Sequence, residues 1–269
     1  MIETITLRSI DGTRLVADFY QASGGLGAVL VHGITSDRKE AGFYQKLACE
    51  LQELSIKCLA LDLRSHGDSD GHQDAFSLSG AINDIYCAIS YLEKHKKVTR
   101  ILLIAASFGG GLSIRAAEMK RNVVKNMVLY NPRLDYTTWV HDTIYWEDEA
   151  LSDRGMDELR ASGYITRNGF KIGINLLNEL LCFDPARGLK DLDMDILFVH
   201  GDRDFAIPMK SSVDNYNLNG RGELIIVQDA AHGFTDYRTD DPFSDISKRI
   251  RNNVIADTVK WTKAKYLKG

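Results

Sequence analysis

No apolar stretch in this sequence approaches the roughly 18 residues that a membrane span requires, which excludes a transmembrane helix. The four cysteines, Cys49, Cys58, Cys87 and Cys182, include no CxxC pair and no metal spacing. They read as reduced core thiols of a cytosolic protein. Basic charge is not in excess: 33 Lys and Arg stand against 37 Asp and Glu, a net charge of −4, which disfavours nucleic acid or an anionic membrane as partner. The opening residues Met1 to Arg8 alternate like a strand and lack an apolar h-region, so no signal peptide and a cytoplasmic location are expected. Phosphate and calcium motifs are missing as well. No lysine follows Gly109, Gly110 and Gly111 as in a P-loop, and the G-x-G-x-x-G order is absent. Asp68-Ser69-Asp70-Gly71 lacks the third oxygen ligand and the terminal glutamate of an EF-hand. Neither a metal nor a cofactor is expected.

What is there suits one large α/β domain: 269 residues, 44% hydrophobic and 26% charged. Thr4 to Ser9 and Thr13 to Phe19 alternate around Asp11-Gly12 and predict an opening β-hairpin. Short apolar runs follow at 28–31, 58–61, 101–104, 123–129, 196–199 and 224–227. Runs of this kind are buried on both faces, as in a parallel sheet covered by helices. Helical patterns over 38–54, 80–95 and 110–119 separate them, and a last helix is expected from Asp241-Pro242 to about Leu267. One segment breaks the alternation. Residues 132–190 are too long for an ordinary connection and carry Trp139, Trp146, Tyr164 and an Asn168-Gly169 turn between alternating residues. They predict a small helix-plus-hairpin cap over the carboxyl edge of the sheet, inserted into a core formed by 1–131 and 191–269.

The most informative stretch is Ala105-Ala106-Ser107-Phe108-Gly109-Gly110, directly after Ile101 to Ile104. A strand that turns sharply into a helix at a serine needs minimal side chains two positions before and after it. Otherwise strand and helix collide, and the hydroxyl cannot project outward. Three further segments sit at expected strand ends, where open α/β sheets place their sites: His32-Gly33-Ile34-Thr35, Gly201 to Pro208 and Ala231-His232-Gly233-Phe234. With Ser107, the order is Ser, Asp, His.

The chain resembles the α/β-hydrolase superfamily, in its cofactor-free serine esterase and thioesterase branch. The resemblance rests on His32-Gly33, on Gly201, Asp204, Ile207 and Pro208 as G-x-x-D-x-x-[VI]-P, and on Asp62, Arg64, His66, Gly67 and Ser69 as D-x-R-x-H-G-x-S. Ser65 stands where the family usually has glycine. The resemblance implies Ser107 as nucleophile, His232 as general base and acid, and Asp204 as the acid that orients it. It further implies an oxyanion hole from the backbone N–H groups of Ile34 and Phe108. Asp202 and Asp135 are alternatives for the acid. His32 is expected to be structural, Asp62, Arg64, His66 and Asp68 to form a loop network beneath the site, and His200 to sit in the core or at the rim.

The expected reaction is hydrolysis of a small-molecule acyl or aryl ester or thioester, with a homo-oligomer left open. Details are similar to acyl-carrier-protein thioesterases in one place and to cinnamoyl or feruloyl esterases and monoacylglycerol-lipase-like enzymes in another. A cofactor-free haloperoxidase, a small-peptide hydrolase or a non-catalytic binding protein would share the framework. Trp139, Trp146 and Tyr164 either line an apolar substrate channel or form the core of the cap itself.

Overall fold

Apolar runs that point alternate side chains to opposite faces, separated by amphipathic stretches, dictate a sheet with helices on both sides. The computed structural model describes residues 2–141 and 143–268. Met1, which begins the N-terminal alternation, Asp142 within the 132–190 segment, and Gly269 lie outside them. Strands β1 (Ile2–Arg8) and β2 (Arg14–Tyr20) form the expected antiparallel hairpin, turning through Gly12 at φ 87°. The sheet is completed by β3 (Leu26–Val31), β4 (Lys57–Leu61), β5 (Arg100–Ala106), β6 (Val124–Tyr130), β11 (Asp195–Gly201) and β12 (Gly222–Val227). Its eight strands run in the order β1-β2-β4-β3-β5-β6-β11-β12. From β4 to β12 every neighbouring pair is parallel.

The two faces bury different halves of each run. Val29, Val31, Leu59, Leu61, Leu103 and Ala105 pack with α2 (Leu78–His95) and α3 (Phe108–Met119). Ala28, Leu30, Cys58, Ala60, Leu102 and Ile104 pack with α1 (Phe43–Glu53) and α9 (Asp245–Lys265). Each fully buried Leu, Ile or Val contributes about 1.5–3 kcal/mol, so both layers are held mainly by apolar burial.

Between β6 and β11 lie α4 (Thr138–His141), the hairpin β7 (Trp146–Glu147) and β8 (Ala150–Leu151), α5 (Asp153–Ser162), the hairpin β9 (Tyr164–Arg167) and β10 (Phe170–Gly173), α6 (Ile174–Leu180) and α7 (Pro185–Leu189). Asn168 and Gly169 turn β9 into β10 with φ of 48° and 77°, the left-handed pair that a tight hairpin needs. This segment rests on the connection after β4 and on the start of α2: Lys171 N–H donates to Gln73 (3.2 Å), and Leu78 N–H donates to Glu179. The short helix α8 (Lys210–Val213) follows β11.

Three expectations are corrected. Residues 38–42 are not helical, because tertiary bonds take them. Arg38 N–H donates to Asp62 (2.7 Å), Glu40 accepts from Gly33 N–H (2.8 Å), and Glu40, Ala41 and Gly42 all adopt positive φ. The last helix starts at Asp245 rather than Asp241. Asp241 closes a local turn on Phe243 N–H (2.8 Å), and Ser244 caps the helix by accepting from Ser247 N–H (3.2 Å). Of the expected core thiols only Cys58 is buried, and its burial pushes the thiol pKa well up; Cys49 and Cys182 are exposed. Among the described residues no helix is long and apolar enough to cross a membrane.

Candidate active site

The turn at the end of β5 fixes Ser107. Its backbone has φ 53° and ψ −125°, a sparsely populated conformation costing on the order of 1–3 kcal/mol. Neighbouring elements hold it there: Ser107 N–H donates to Tyr130 O (2.8 Å), and Arg133 N–H donates to Ser107 O (2.9 Å). The small residues at the turn are required by space. A Cβ on Gly109 would stand 2.4 Å from the His32 carbonyl oxygen.

The three segments at the strand ends converge on this serine. His232 Nε2 lies 2.9 Å from Ser107 Oγ, and His232 Nδ1 lies 2.7 Å from Asp204 Oδ2. A carboxylate can only accept, so Nδ1 carries the proton and Nε2 is left to accept from the serine hydroxyl. Asp204 is buried, and its other oxygen accepts from the N–H groups of Ala206 (2.9 Å) and Ile207 (2.8 Å). The imidazole is about one-third exposed (33%), so the carboxylate is enclosed while the imidazole reaches the surface. Of the alternative acids, Asp135 is spent on Thr137 and Thr138, and Asp202 Oδ1 is buried without a partner. Neither bonds to His232 among the described residues.

The loop carrying Ile34 is tied from three sides. His32 is fully buried. Its Nδ1–H donates to Gly33 O (2.7 Å), while Nε2 accepts from Leu63 N–H (3.0 Å). Gly33 N–H donates to Glu40, and Thr35 N–H approaches His66 Nε2 (3.4 Å). His66 donates Nδ1–H to Arg64 O (2.8 Å), and burial pushes its pKa down to about 3, so it stays a neutral acceptor. Gly33, Ile34, Ser107 and His232 together line a cavity of about 190 Å³. Phe108 supplies the first N–H of α3, where helix N–H groups have no intrahelical acceptor; its ring packs behind, against Tyr136 (4.6 Å) and Trp139 (5.0 Å).

The loop network divides in two. Arg38 joins Asp18, Asp62 and Asp68, whereas Arg64 joins Asp84 and Asp11. Arg38 carried no sequence signal and lies inside a stretch that reads as helix. Ser65 adopts φ 64°, which explains a glycine preference at that point, and its hydroxyl donates to His72 O (3.0 Å). His200 is a core residue: Nε2–H donates to Ile207 O (3.0 Å), and Nδ1 accepts from the Ser212 hydroxyl (2.7 Å).

Trp139, Trp146 and Tyr164, read from the sequence as lining a substrate channel or forming the cap's own core, do not line the Ser107 cavity. Trp139 is buried against Phe108 and Phe170, Trp146 stacks on His141 (4.9 Å), and Tyr164 carries Lys171 over its ring (4.5 Å). Residues without an individual sequence signal line the cavity instead, among them Glu40, Asn131 and Arg251. A larger cavity of about 590 Å³ lies between the 132–190 segment and the loop after β11, lined by Arg133, Thr138, Phe183 and Ile207 among others. Among the described residues no group of three or more His, Cys, Asp or Glu is placed to hold a metal ion.

Residues 28–154 match the family model described as serine aminopeptidase, S33. The chain is 27% identical over 129 residues to the monoglyceride lipase of Rattus norvegicus, covering 47% of this chain and 42% of that protein. It is 33% identical over 100 residues to a protein named transcriptional activator protein LuxR from Aliivibrio fischeri, covering 34% and 38%. Both matches therefore span about two-fifths of the relatives' own lengths. Among solved structures, Est1E from Butyrivibrio proteoclasticus with ferulic acid bound superimposes with a TM-score of 0.75 at 19% identity, covering 94% of this chain and 98% of that one.

Proposed function

We propose that this chain, which has the fold of the α/β hydrolases, is a serine hydrolase of that superfamily cleaving a carboxylic ester or thioester through an acyl-enzyme on Ser107. The observation that carries this reading is the unbroken hydrogen-bond chain from Ser107 Oγ through His232 to Asp204. A free hydroxyl is a poor nucleophile; a base already within 2.9 Å removes that obstacle. Ser107 Oγ attacks the acyl carbonyl as His232 Nε2 takes its proton, and the same proton goes to the departing alcohol or thiol. Asp204 balances the imidazolium that forms in between. The tetrahedral oxyanion is received by the N–H groups of Ile34 and Phe108. Each such donor is worth roughly 10²–10³ in rate. Water, activated by His232, then releases the acid. Residues 132–190 serve as a cap, with Trp139 in its core rather than in the substrate channel.

Support for ester chemistry comes from the monoglyceride lipase relative and from the ferulic acid bound to the similar fold of Est1E. A second reading, hydrolysis of small peptides, is favoured by the description of the matching family model and by Glu40, whose carboxylate lines the Ser107 cavity and suits a free α-ammonium group.

The test is a fluorophosphonate probe followed by a substrate panel: p-nitrophenyl esters from acetate to palmitate, acyl-CoAs, methyl ferulate and aminoacyl p-nitroanilides. Covalent labelling of Ser107, lost in Ser107→Ala, together with ester or thioester turnover is the expected result. Turnover of the anilides alone favours the peptidase. An unlabelled Ser107 in folded protein overturns the catalytic reading in favour of a binding role.

A further inference from the structure

We propose that Arg133 is a positioning residue for the reaction, holding the loop that carries Asp204 in register with the strand end that carries Ser107. The inference rests on the Ser107, His232 and Asp204 reading above and extends it to a residue outside those three.

Five hydrogen bonds close into a ring. Ser107 Oγ–H meets His232 Nε2 (2.9 Å), and His232 Nδ1–H meets Asp204 Oδ2 (2.7 Å). Asp204 Oδ1 accepts from Ala206 N–H (2.9 Å), and Ala206 O accepts from Arg133 Nη2–H (3.1 Å). Arg133 N–H returns to Ser107 O (2.9 Å). One residue thus touches the nucleophile through its backbone and the acid loop through its side chain. His200 fastens the same loop from the opposite side, through Ile207 O.

The state of the guanidinium agrees with this task. In the loop network, the buried Arg38 and the partly buried Arg64 are each matched by two or more carboxylates. Arg133 is buried, at 8% exposure, yet its guanidinium bonds are to neutral acceptors: Asp135 O (3.3 Å), Thr138 Oγ1 (3.3 Å) and Ala206 O (3.1 Å). Burial pushes its pKa down, while Asp135 and Asp204 act through space to sustain the charge. A buried cation is costly unless it is hydrogen-bonded and balanced by nearby charge; here the three neutral acceptors and the through-space pull of Asp135 and Asp204 offset that cost. Ala206 lies in the short Asp204-to-Pro208 loop, which has no helix or strand of its own to hold it. Because Arg133 also lines the 590 Å³ cavity, substrate contact is the competing role, and kinetics separates the two.

The experiment compares wild type, Arg133→Met, Arg133→Lys and Ser107→Ala by steady-state kinetics on the best ester of the panel, with thermal melting to confirm folding. A loose acid loop misplaces the base. Displacements of about 1 Å typically cost up to 10²-fold, so kcat of Arg133→Met should fall roughly 10- to 100-fold with KM within about twofold. Arg133→Lys keeps one donor for Ala206 O and should recover part of the loss. A folded Arg133→Met with wild-type kcat, beside an inactive Ser107→Ala, overturns the proposal while leaving the nucleophile intact. A raised KM at unchanged kcat also overturns it, by making Arg133 a substrate contact. Full activity in Ser107→Ala would instead remove the underlying triad reading. If Arg133→Met does not fold, Arg133→Gln, polar but too short to reach Ala206 O, carries the same expectation.

Discussion

Gly33 and Ser107 pack so closely that a Cβ placed on residue 33 would stand 2.8 Å from Ser107 Cβ and 3.3 Å from its Oγ. The loop carrying Ile34 and the turn carrying the hydroxyl therefore meet at one close contact that leaves no room for a methyl group. Gly33→Ala should displace one against the other. The expected outcome is a fall in kcat of about 10-fold or more, with only a small change in melting temperature, because the strain is local to two loops. Side-by-side kinetics and melting curves check this; a variant with wild-type kcat would show that the contact is slack.

Relieving the strained turn should trade activity for stability. Ser107 sits at φ 53° and ψ −125°, where a side chain is penalised and glycine is not. Ser107→Gly should raise the unfolding free energy by about 1 kcal/mol in urea titration while abolishing turnover. Ser107→Ala should also be inactive but without that gain.

Three aspartates compete for the role of acid in the sequence, and the geometry favours one. Asp204→Asn keeps the shape but offers His232 an amide in place of a carboxylate, so the loss should be largest there, about 10³-fold or more. Asp135→Asn and Asp202→Asn should stay within a few-fold of wild type, since neither bonds to the imidazole. A comparably large loss in Asp135→Asn would move the acid to the end of β6.

Acid should destabilise the fold through His66. Burial holds its pKa at about 3 in the folded state, against an ordinary histidine value of 6.5. Between those limits the unfolded chain binds more protons, so stability is present above about pH 6.5 and is lost as pH falls towards 3. The contribution is about 1.4 kcal/mol per pH unit, on the order of 2 kcal/mol between pH 6.5 and 5. Urea titrations across this range should show a shallower slope in His66→Gln, which cannot take up the proton. Equal slopes would mean that another group dominates acid unfolding.

Much of the framework was legible from local pattern. Doubly apolar runs report strands covered on both faces, the small residues around Ser107 report a turn with no room for side chains, and Asn168-Gly169 reports a hairpin. Each is a property of a few adjacent residues. The errors have a common cause. Arg38 to Gly42 reads as helix, but the backbone there follows bonds to Asp62 and Gly33 rather than its own propensity. Asp241 reads as a helix cap, yet its carboxylate accepts from Phe243 N–H in a local turn and Ser244 caps the helix instead.

Residue order along the chain put Ser107, the Gly201 to Pro208 segment and His232 after expected strands, whose ends gather at one edge of a parallel sheet, and the resemblance to the α/β hydrolases then pointed to Asp204 within that segment. Distances were a matter for the tertiary structure alone. It sets Asp204, rather than Asp135 or Asp202, beside His232, sends Arg38 and Arg64 to different carboxylates, buries Trp139 behind Phe108 and closes the ring through Arg133. Those contacts join residues tens to more than a hundred positions apart. Their formation depends on how separate elements pack, a relation that no local window of sequence contains.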